Sequence, residues 1–562
     1  MSEMGAAQQV KVEFDVPARM RDGATLRANV YRPSGDGPWP TLLVRTPYDK
    51  NAALNTWWLD PVQAAAQGFM MVIQDVRGRF ASDGEWIPMH FERQDGYDTV
   101  EWAAKLPGSN GRVGMYGASY VGGTPWAAAI EQPPSLAAIA PAVTPSDLLG
   151  GFFMRGGAIG LAMTVAWTLE MACAHLERLP LSEQERGERL VALLDDCDRL
   201  PSDGFWGLPL HDLPVLRRHD RYGVIAREVL GNDPDVLASR QVAGEYEHVT
   251  VPSFNIGGWY DVVSQGVLDN YMGMAALGRP ARLVMGPWTH MTYADPIGDL
   301  CFGMRASRLG VPVHAHGDLN EEKLAWFRRY LLPESASADV ERPPVRIFVM
   351  GRNQWRDETS WPLSRARSER WFFGAGGRLD REAPAAEATP TEFVYDPADP
   401  APTHGGQALV APWFPDGPKD QMRIEARPDV CAFTSEVLQQ DLEVTGRVRV
   451  VLNAESSAPS TDWVARLCNV YPDGRSFNIC EGIRRIEQGA DRLQQVAIDL
   501  WSTSNVFLAG HRLRVHVTSS CFPQWDRNLN TGNQRVSRMQ SARQRIHHDT
   551  DRASFVELPV ID

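Results

Sequence analysis

Three polar residues, far apart in the chain, stand in surroundings suited to proton transfer. Ser119 lies in Gly117-Ala118-Ser119-Tyr120-Val121-Gly122-Gly123. The apolar run Val113–Tyr116 precedes it, and a helix-forming stretch, Tyr120–Ile130, follows. A serine between a buried strand and a helix stands on a sharp turn that lifts its hydroxyl clear of the sheet, as in a nucleophile elbow. Small neighbours let the backbone take the strained conformation. The helix N-terminus that follows aims N–H groups at any negative charge developing there. One departure is visible: the usual pattern puts glycine two residues after the serine, and here that place is Val121. A hydroxyl is a weak nucleophile until a base takes its proton, and the base needs a carboxylate to hold its tautomer. Asp261 follows the strand-like run Val251–Ile256 in Gly257-Gly258-Trp259-Tyr260-Asp261. His290 follows Ala281–Met285 in Gly286-Pro287-Trp288-Thr289-His290. Alone, Asp261 could equally cap the helix near Gln265, and His290 could be a satisfied surface histidine. Their shared position, in a Gly/Trp loop just past a buried strand, singles them out. His314 and His316 sit near no clear strand end. Without a carboxylate–His companion they read as a surface loop and not as a metal site.

These positions presuppose a sheet. Residues 11–45 alternate polar and apolar, with turns at Asp22-Gly23 and Gly35-Asp36-Gly37. Thr41–Val44 reads as a buried strand that runs into Arg45-Thr46-Pro47-Tyr48. Tyr48 thus stands just past a strand end, at the edge where open α/β sheets bind ligands. A helix around Val62–Gln67, a strand over Gly68–Asp75 and a helix over Asp95–Ala104 follow; the Gly- and charge-rich loop 77–84 between them reads as held by Arg–Asp pairing. Strands alternating with helices from about Thr41 to Ile130 predict a parallel sheet with helices on both faces. After Ala140 the period changes. Gly157–Leu176 and Ser182–Cys197 read as long helices, the second with Ser182 and Glu185 at capping-box spacing. Residues 146–240 therefore read as a helical insertion over the sheet, a lid for a pocket. The α/β pattern resumes with helices over Gln265–Leu277 and Glu321–Leu331. From Pro344 onward helical patterns nearly vanish. Val345–Met350, Phe393–Tyr395, Gln440–Ala454, Asp462–Val470, Gln495–Leu500 and Arg512–Ser519 read as strands of a β-sandwich of jelly-roll type.

The expected fold class is α/β plus β: an α/β-hydrolase core in two parts, 1–145 and 241–343, a helical cap at 146–240, and a jelly-roll domain at 344–562. In such cores the chain order is serine, acid, histidine. Ser119, Asp261 and His290 satisfy it, whereas His248 precedes Asp261. A tetrahedral intermediate needs donors for its oxyanion. The Tyr120 amide, just after the serine, is the expected first. The second should come from the loop after an early strand; Pro47 has no N–H to give, so the Tyr48 phenol is the candidate.

A chain of 562 residues exceeds one ordinary core and predicts two to four domains. A composition 43% hydrophobic and 22% charged is that of a globular protein in water. The formal net charge of -14 argues against nucleic acid or an anionic membrane as partner. No stretch approaches the roughly 18 apolar residues of a membrane span, and Met1–Val10 has no charged-then-apolar leader, so a cytoplasmic location is expected. The seven cysteines are odd in number, scattered, and without C-x-x-C spacing, which suits reduced thiols. No cofactor or metal is implied, the expected partner is a small molecule, and homo-oligomerisation is left open.

Six stretches taken together resemble the cocaine esterase / X-prolyl dipeptidyl aminopeptidase family of serine hydrolases. They are R-T-P-Y (45–48), G-A-S-Y-V-G-G-T-P-W (117–126), G-G-W-Y-D (257–261), G-P-W-T-H (286–290), S-N-V-F-L-A-G-H-R (504–512) and S-S-C-F-P-Q-W-D-R-N-L-N-T-G (519–532). The resemblance covers nearly the whole chain and is greatest to the cocaine esterase branch, where an elbow of this form accounts for Val121. It implies a triad of Ser119, Asp261 and His290, oxyanion donors in the Tyr48 hydroxyl and Tyr120 amide, and an acyl pocket including Phe152, Trp167, Leu409 and Val410. Val263 stands where that branch has an aromatic, and Leu409-Val410 is smaller than its Leu-Phe pair, which implies a differently shaped acyl pocket. The implied activity is a carboxylesterase acting on small aromatic-acyl esters through an acyl-enzyme. The alternative is an α-amino-acid ester hydrolase/acylase or an X-prolyl dipeptidyl aminopeptidase. Such enzymes hold an ammonium and need pocket carboxylates to pair it. Val121, Phe152 and Trp167 favour an uncharged acyl group, and Glu170 is the one acid that keeps the question open. A third reading leaves the core inactive and makes the jelly roll a carbohydrate- or partner-binding module.

Overall fold

The computed structural model describes residues 9–219, 240–308, 318–332, 342–385, 387–409, 413–487 and 491–562. Its first layer is a ten-stranded sheet. In spatial order the strands are Lys11–Arg19, Thr25–Arg32, Met70–Asp75, Trp39–Thr46, Ser109–Ala118, Leu136–Ala142, Ser253–Gly258, Ala281–Gly286, Val345–Val349 and Gln354–Glu358. From Met70–Asp75 to Val345–Val349 every neighbouring pair is parallel, and the flanking pairs are antiparallel. Helices cover both faces of a parallel sheet, so its strands are uninterrupted apolar runs; all six residues of Met70–Asp75 are buried. The same parallelism brings four strand ends, Thr46, Ala118, Gly258 and Gly286, to one edge. The loops that follow them carry Tyr48, Ser119, Asp261 and His290.

Two expectations are corrected here. Val345–Val349 is not a strand of the β-sandwich sheet. It pairs in parallel with Ala281–Gly286, Leu283 opposite Val345, and Gln354–Glu358 closes the same sheet. The helix Leu319–Leu331 precedes it, so strand, helix and strand make one more crossover unit. The fading of helical pattern after Leu331 marks the last crossover of this sheet. The first cap helix begins at Leu161 and not at Gly157. Met154–Arg155 and Ala158–Ile159 form a small hairpin instead, turning at Gly156 and Gly157, whose φ values are +55° and +91°. A Cβ at Gly156 would lie 1.9 Å from the Ile483 carbonyl oxygen, so this turn packs directly on the β-sandwich.

The second cap helix, Glu183–Asp198, starts in the predicted capping box of Ser182 and Glu185. The two cap helices meet through Val165, Leu169, Leu176 and Leu193. From Arg367 onward the chain is a β-sandwich built on an eleven-stranded sheet. Its strands include Leu442–Ser456, Ser460–Val470 and Gln494–Phe507, and it also holds strands not expected from sequence, among them Ser476–Glu487 and Phe555–Ile561. The motif at 519–532 is almost wholly buried and anchors the cap. The Pro523 carbonyl accepts from Ala162 N at 3.0 Å, and Asp526 accepts from Ile159 N at 2.7 Å. No helix among the described residues is long and apolar enough to cross a membrane.

Candidate active site

Ser119 has φ 58° and ψ -126°, a left-handed conformation that is costly for a residue with a side chain. It persists because its surroundings over-determine it. Ser119 N donates to the Ala142 carbonyl at 3.0 Å, and the Ser119 carbonyl accepts from Gly122 and Gly123 at 2.9 and 3.0 Å. A Cβ at Gly117 would lie 2.3 Å from the Val121 carbonyl oxygen, and one at Gly122 would lie 2.6 Å from that of Ala142. The crowded positions are therefore 117 and 122. Val121 lines the cavity, where a side chain has room, which explains the departure from the usual elbow pattern.

The Tyr120 side chain is anchored through its hydroxyl. Its hydroxyl donates to Glu92 at 2.7 Å and accepts from Met89 N at 3.1 Å. Glu92 pairs with Arg45 at 2.6 Å, both buried. Burial pushes the Glu92 carboxyl up despite Arg45, and pushes the Tyr120 phenol well above its ordinary value, so the phenol stays neutral. The Tyr120 backbone N–H is the first of its helix and has no intrahelical acceptor to reach.

His290 lies between Ser119 and Asp261. Its Nε2 is 2.9 Å from Ser119 Oγ, and its Nδ1 is 3.0 and 3.2 Å from the two Asp261 oxygens. Asp261 is fully buried and also accepts from Val263 N at 2.9 Å. The acid and base loops bond to each other: Trp259 N to the Gly286 carbonyl at 2.9 Å, and Tyr260 N to the Trp288 carbonyl at 3.0 Å. Gly258 permits this approach, since a Cβ there would lie 2.3 Å from the Trp288 carbonyl oxygen. The β-sandwich side clamps the acid loop. Gln407 donates to the Trp259 carbonyl at 3.0 Å, and the Tyr260 hydroxyl donates to the Asn478 carbonyl at 3.1 Å. Burial alone would push the imidazole down. The Asp261 charge and hydrogen bond, helped by the carboxylate of Asp416, outweigh it and hold His290 above the ordinary histidine value. A hydroxyl bonded to an imidazole, whose other nitrogen is bonded to a carboxylate, can lose its proton as it attacks a carbonyl.

Tyr48 stands on a loop fixed at three points. Tyr48 N donates to Thr46 Oγ1 at 3.1 Å, Lys50 N donates to Asp75 at 2.7 Å, and Arg79 Nε donates to the Pro47 carbonyl at 2.8 Å. The Tyr48 hydroxyl accepts from Trp167 Nε1 at 3.3 Å, which leaves its own hydrogen to donate. Burial pushes this phenol above its ordinary value, so it is a neutral donor at every working pH. Within the loop 77–84, Arg77 pairs with Asp95 and Asp22 as expected. Arg79 departs from the expected pairing. It is buried, has no carboxylate hydrogen bond among the described residues, and turns to the backbone carbonyls of Pro47 and Met171.

Ser119, Tyr48, Tyr120 and His290 open on one cavity of about 250 Å³. Phe152, Trp167 and Leu409 line it. Val410, like His314 and His316, lies outside the described residues. Val263 is fully buried and is not among the lining residues, so its effect on the pocket is indirect. Trp57, Trp58 and Tyr293 also line the cavity and went unnoticed in the sequence; the Trp57-Trp58 pair in the loop after Tyr48 was the available signal.

Residues 22–292 match the model of the X-Pro dipeptidyl-peptidase (S15 family), and residues 338–557 match that of the X-Pro dipeptidyl-peptidase C-terminal non-catalytic domain. The chain is 36% identical to a cocaine esterase of Rhodococcus sp. (strain MB1 Bresler), over 98% of each chain. Among solved structures it is similar to a selenomethionine-labelled α-amino acid ester hydrolase, with a TM-score of 0.80 at 24% identity over 100% of this chain and 98% of that one. It is likewise similar to an aminopeptidase from a marine sediment Thaumarchaeota archaeon, with a TM-score of 0.78 at 24% identity over 99% of this chain and 97% of that one. The two structural likenesses bear on the fold.

Proposed function

From the premise that the chain belongs to the cocaine esterase / X-Pro dipeptidyl-peptidase (S15) family and is a serine hydrolase acting on esters, we propose that it cleaves small aromatic-acyl esters with Ser119 as nucleophile, His290 as base and Asp261 as orienting carboxylate. Ser119 Oγ attacks the ester carbonyl while His290 Nε2 takes its proton. Asp261 holds Nδ1–H and stabilises the imidazolium. The oxyanion receives the Tyr48 hydroxyl and the Tyr120 amide. Collapse expels the alcohol, protonated by His290, and leaves an acyl-enzyme on Ser119. His290 then deprotonates a water, which attacks the acyl carbonyl and releases the acid. The acyl group sits against Phe152, Trp167 and Leu409. We assign the work to the cytoplasm on the scatter and odd number of the cysteines.

The observation that carries this reading is the unbroken Ser119–His290–Asp261 line opening on an apolar cavity. A fluorophosphonate probe with peptide mapping tests it. Label on Ser119 in the wild type, absent in Ser119→Ala, is the expected result. Equal labelling of both proteins would remove Ser119 as nucleophile.

A further inference from the structure

Two of the seven cysteines, Cys173 and Cys197, lie on the two helices of the cap. On Leu161–Leu176 the side chains of Leu169, Ala172, Cys173 and Leu176 recur every three or four residues. On Glu183–Asp198 those of Leu190, Leu193 and Cys197 do the same. At 3.6 residues per turn each set is one stripe of its helix. The stripes pack on each other: Leu169, Ala172, Leu176 and Leu193 share one buried cluster, and Cys173, Leu190 and Cys197 pack against it. In this seam the two thiols meet side chain to side chain. Both are free and only half-buried, so small solutes reach them. The other five are placed differently. Cys468, Cys480 and Cys521 are buried, Cys431 is half-buried at the start of its own strand, and Cys301 is exposed in the loop after His290.

The pair is unequal. The hydrogen bond from Cys197 holds the Cys173 thiol below its ordinary value against burial and the Glu170 charge, and the same bond holds the Cys197 thiol above its own. Cys173 is therefore the one that gives a thiolate, the nucleophilic form. Among the described residues no group of three or more His, Cys, Asp or Glu side chains is placed to hold a metal ion, so the seam offers thiol chemistry alone.

We infer that Cys173 and Cys197 are a reversible oxidation site, at which a hydroperoxide joins the two cap helices through a disulfide. The Cys173 thiolate attacks one peroxide oxygen. The O–O bond breaks, Cys173 becomes a sulfenic acid, and the other oxygen leaves as water with the proton that Cys173 had shed. The Cys197 thiol then attacks the Cys173 sulfur. The S–S bond forms, the S–O bond breaks, and the oxygen leaves as a second water carrying the Cys197 proton. Two thiols give up two electrons and the peroxide takes them. In a reducing cytoplasm the resting pair is dithiol and the staple is transient. The closed loop includes the connection 177–182 and nearly all of the second helix. It therefore limits local opening of the cap, whose first helix carries Trp167 over the cavity. The inference is independent of which ester the site takes.

The test treats the full-length protein with hydrogen peroxide, blocks the remaining thiols with N-ethylmaleimide, and maps the unreduced digest by mass spectrometry. The expected product is a peptide pair joined through Cys173 and Cys197, about 2 Da lighter than the two thiol peptides together and released by dithiothreitol. Cleavage of the cap by thermolysin should slow by about tenfold in the oxidised protein and recover with dithiothreitol. In Cys197→Ser peroxide should leave the cleavage rate unchanged. Recovery of Cys173 and Cys197 as separate alkylated or over-oxidised residues overturns the inference, as does Cys173 joined to another cysteine or to a second copy of the chain. Unchanged cleavage of a cap in which the Cys173–Cys197 bond has formed overturns it as well. The mapping needs only the wild type, so it decides the matter even where a variant folds poorly.

Discussion

Replacing Gly258 by alanine would put a methyl group 2.3 Å from the carbonyl oxygen of Trp288, 2.8 Å from its carbonyl carbon and 2.9 Å from its Cβ. None of these atoms is the far end of a flexible side chain. They belong to a loop tied to its neighbour by the Trp259–Gly286 and Tyr260–Trp288 bonds. Ordinary contact between heavy atoms begins near ~3.5 Å, so the two loops must part by roughly 1 Å. Asp261 follows position 258 by one turn and His290 follows Trp288 by two residues, so the parting falls on the 3.0 Å bond between them. Overpacking of this kind costs about 1–3 kcal/mol of stability, which leaves the protein folded. A misplacement of about 1 Å at the reacting groups costs about 10²-fold in rate. The assay is kcat on an aryl benzoate, with the rate of fluorophosphonate labelling as a second measure of Ser119 reactivity and a thermal melt as the control for folding. A folded Gly258→Ala protein with kcat within about twofold of the wild type would refute the claim that the close approach of these loops aligns acid and base.

Tyr48→Phe should lower kcat by about 10²-fold or more, as loss of one oxyanion donor does, with an unchanged melt; near-normal turnover would mean that another group fills the role. The pH profile tests the electrostatics of His290. It must be neutral to accept the serine proton, so activity is low below its pKa and rises with pH through it. Because Asp261 and Asp416 outweigh burial, the acidic limb of kcat/KM should lie above the ordinary histidine value of about 6.5. Asp261→Asn removes the larger raising charge and leaves the burial, so the limb should move to lower pH while kcat falls by about 10⁴-fold. A limb that stays in place or moves up would show that Asp261 does not set that pKa.

Much of the site was legible because parallel, doubly covered strands leave uninterrupted apolar runs in the sequence. Val113–Tyr116 and Ala281–Met285 are such runs, and Ser119 and His290 each follow one by a few residues. Local chemistry was equally readable: the Ser182–Glu185 capping box needs only a spacing of three. What stayed hidden depends on contacts distant in sequence or on backbone acceptors. Arg79 holds the Tyr48 loop through the Pro47 carbonyl, which leaves no mark in residue type. Asp416 reaches His290 from the β-sandwich part of the chain, more than a hundred residues away. Val345–Val349 reads from sequence as part of the sandwich because a strand's composition does not reveal its neighbour; only the preceding helix Leu319–Leu331 signals another crossover. The strand Ser476–Glu487 was missed because it carries charges in its interior. Glu481 is buried there and is met by Arg466 at 2.7 Å, a pairing visible only when the two strands lie side by side.

The most direct test of the whole account is the chemical identity of the enzyme during turnover. Acid-quenching a reaction with an aryl benzoate and mapping the digest by mass spectrometry should find a benzoyl group on the peptide containing Ser119. A hydroxylamine-labile ester at that residue, formed and discharged at the rate of steady turnover, is the predicted result. Sustained hydrolysis with the acyl group on another residue, or undiminished hydrolysis by Ser119→Ala, would contradict it.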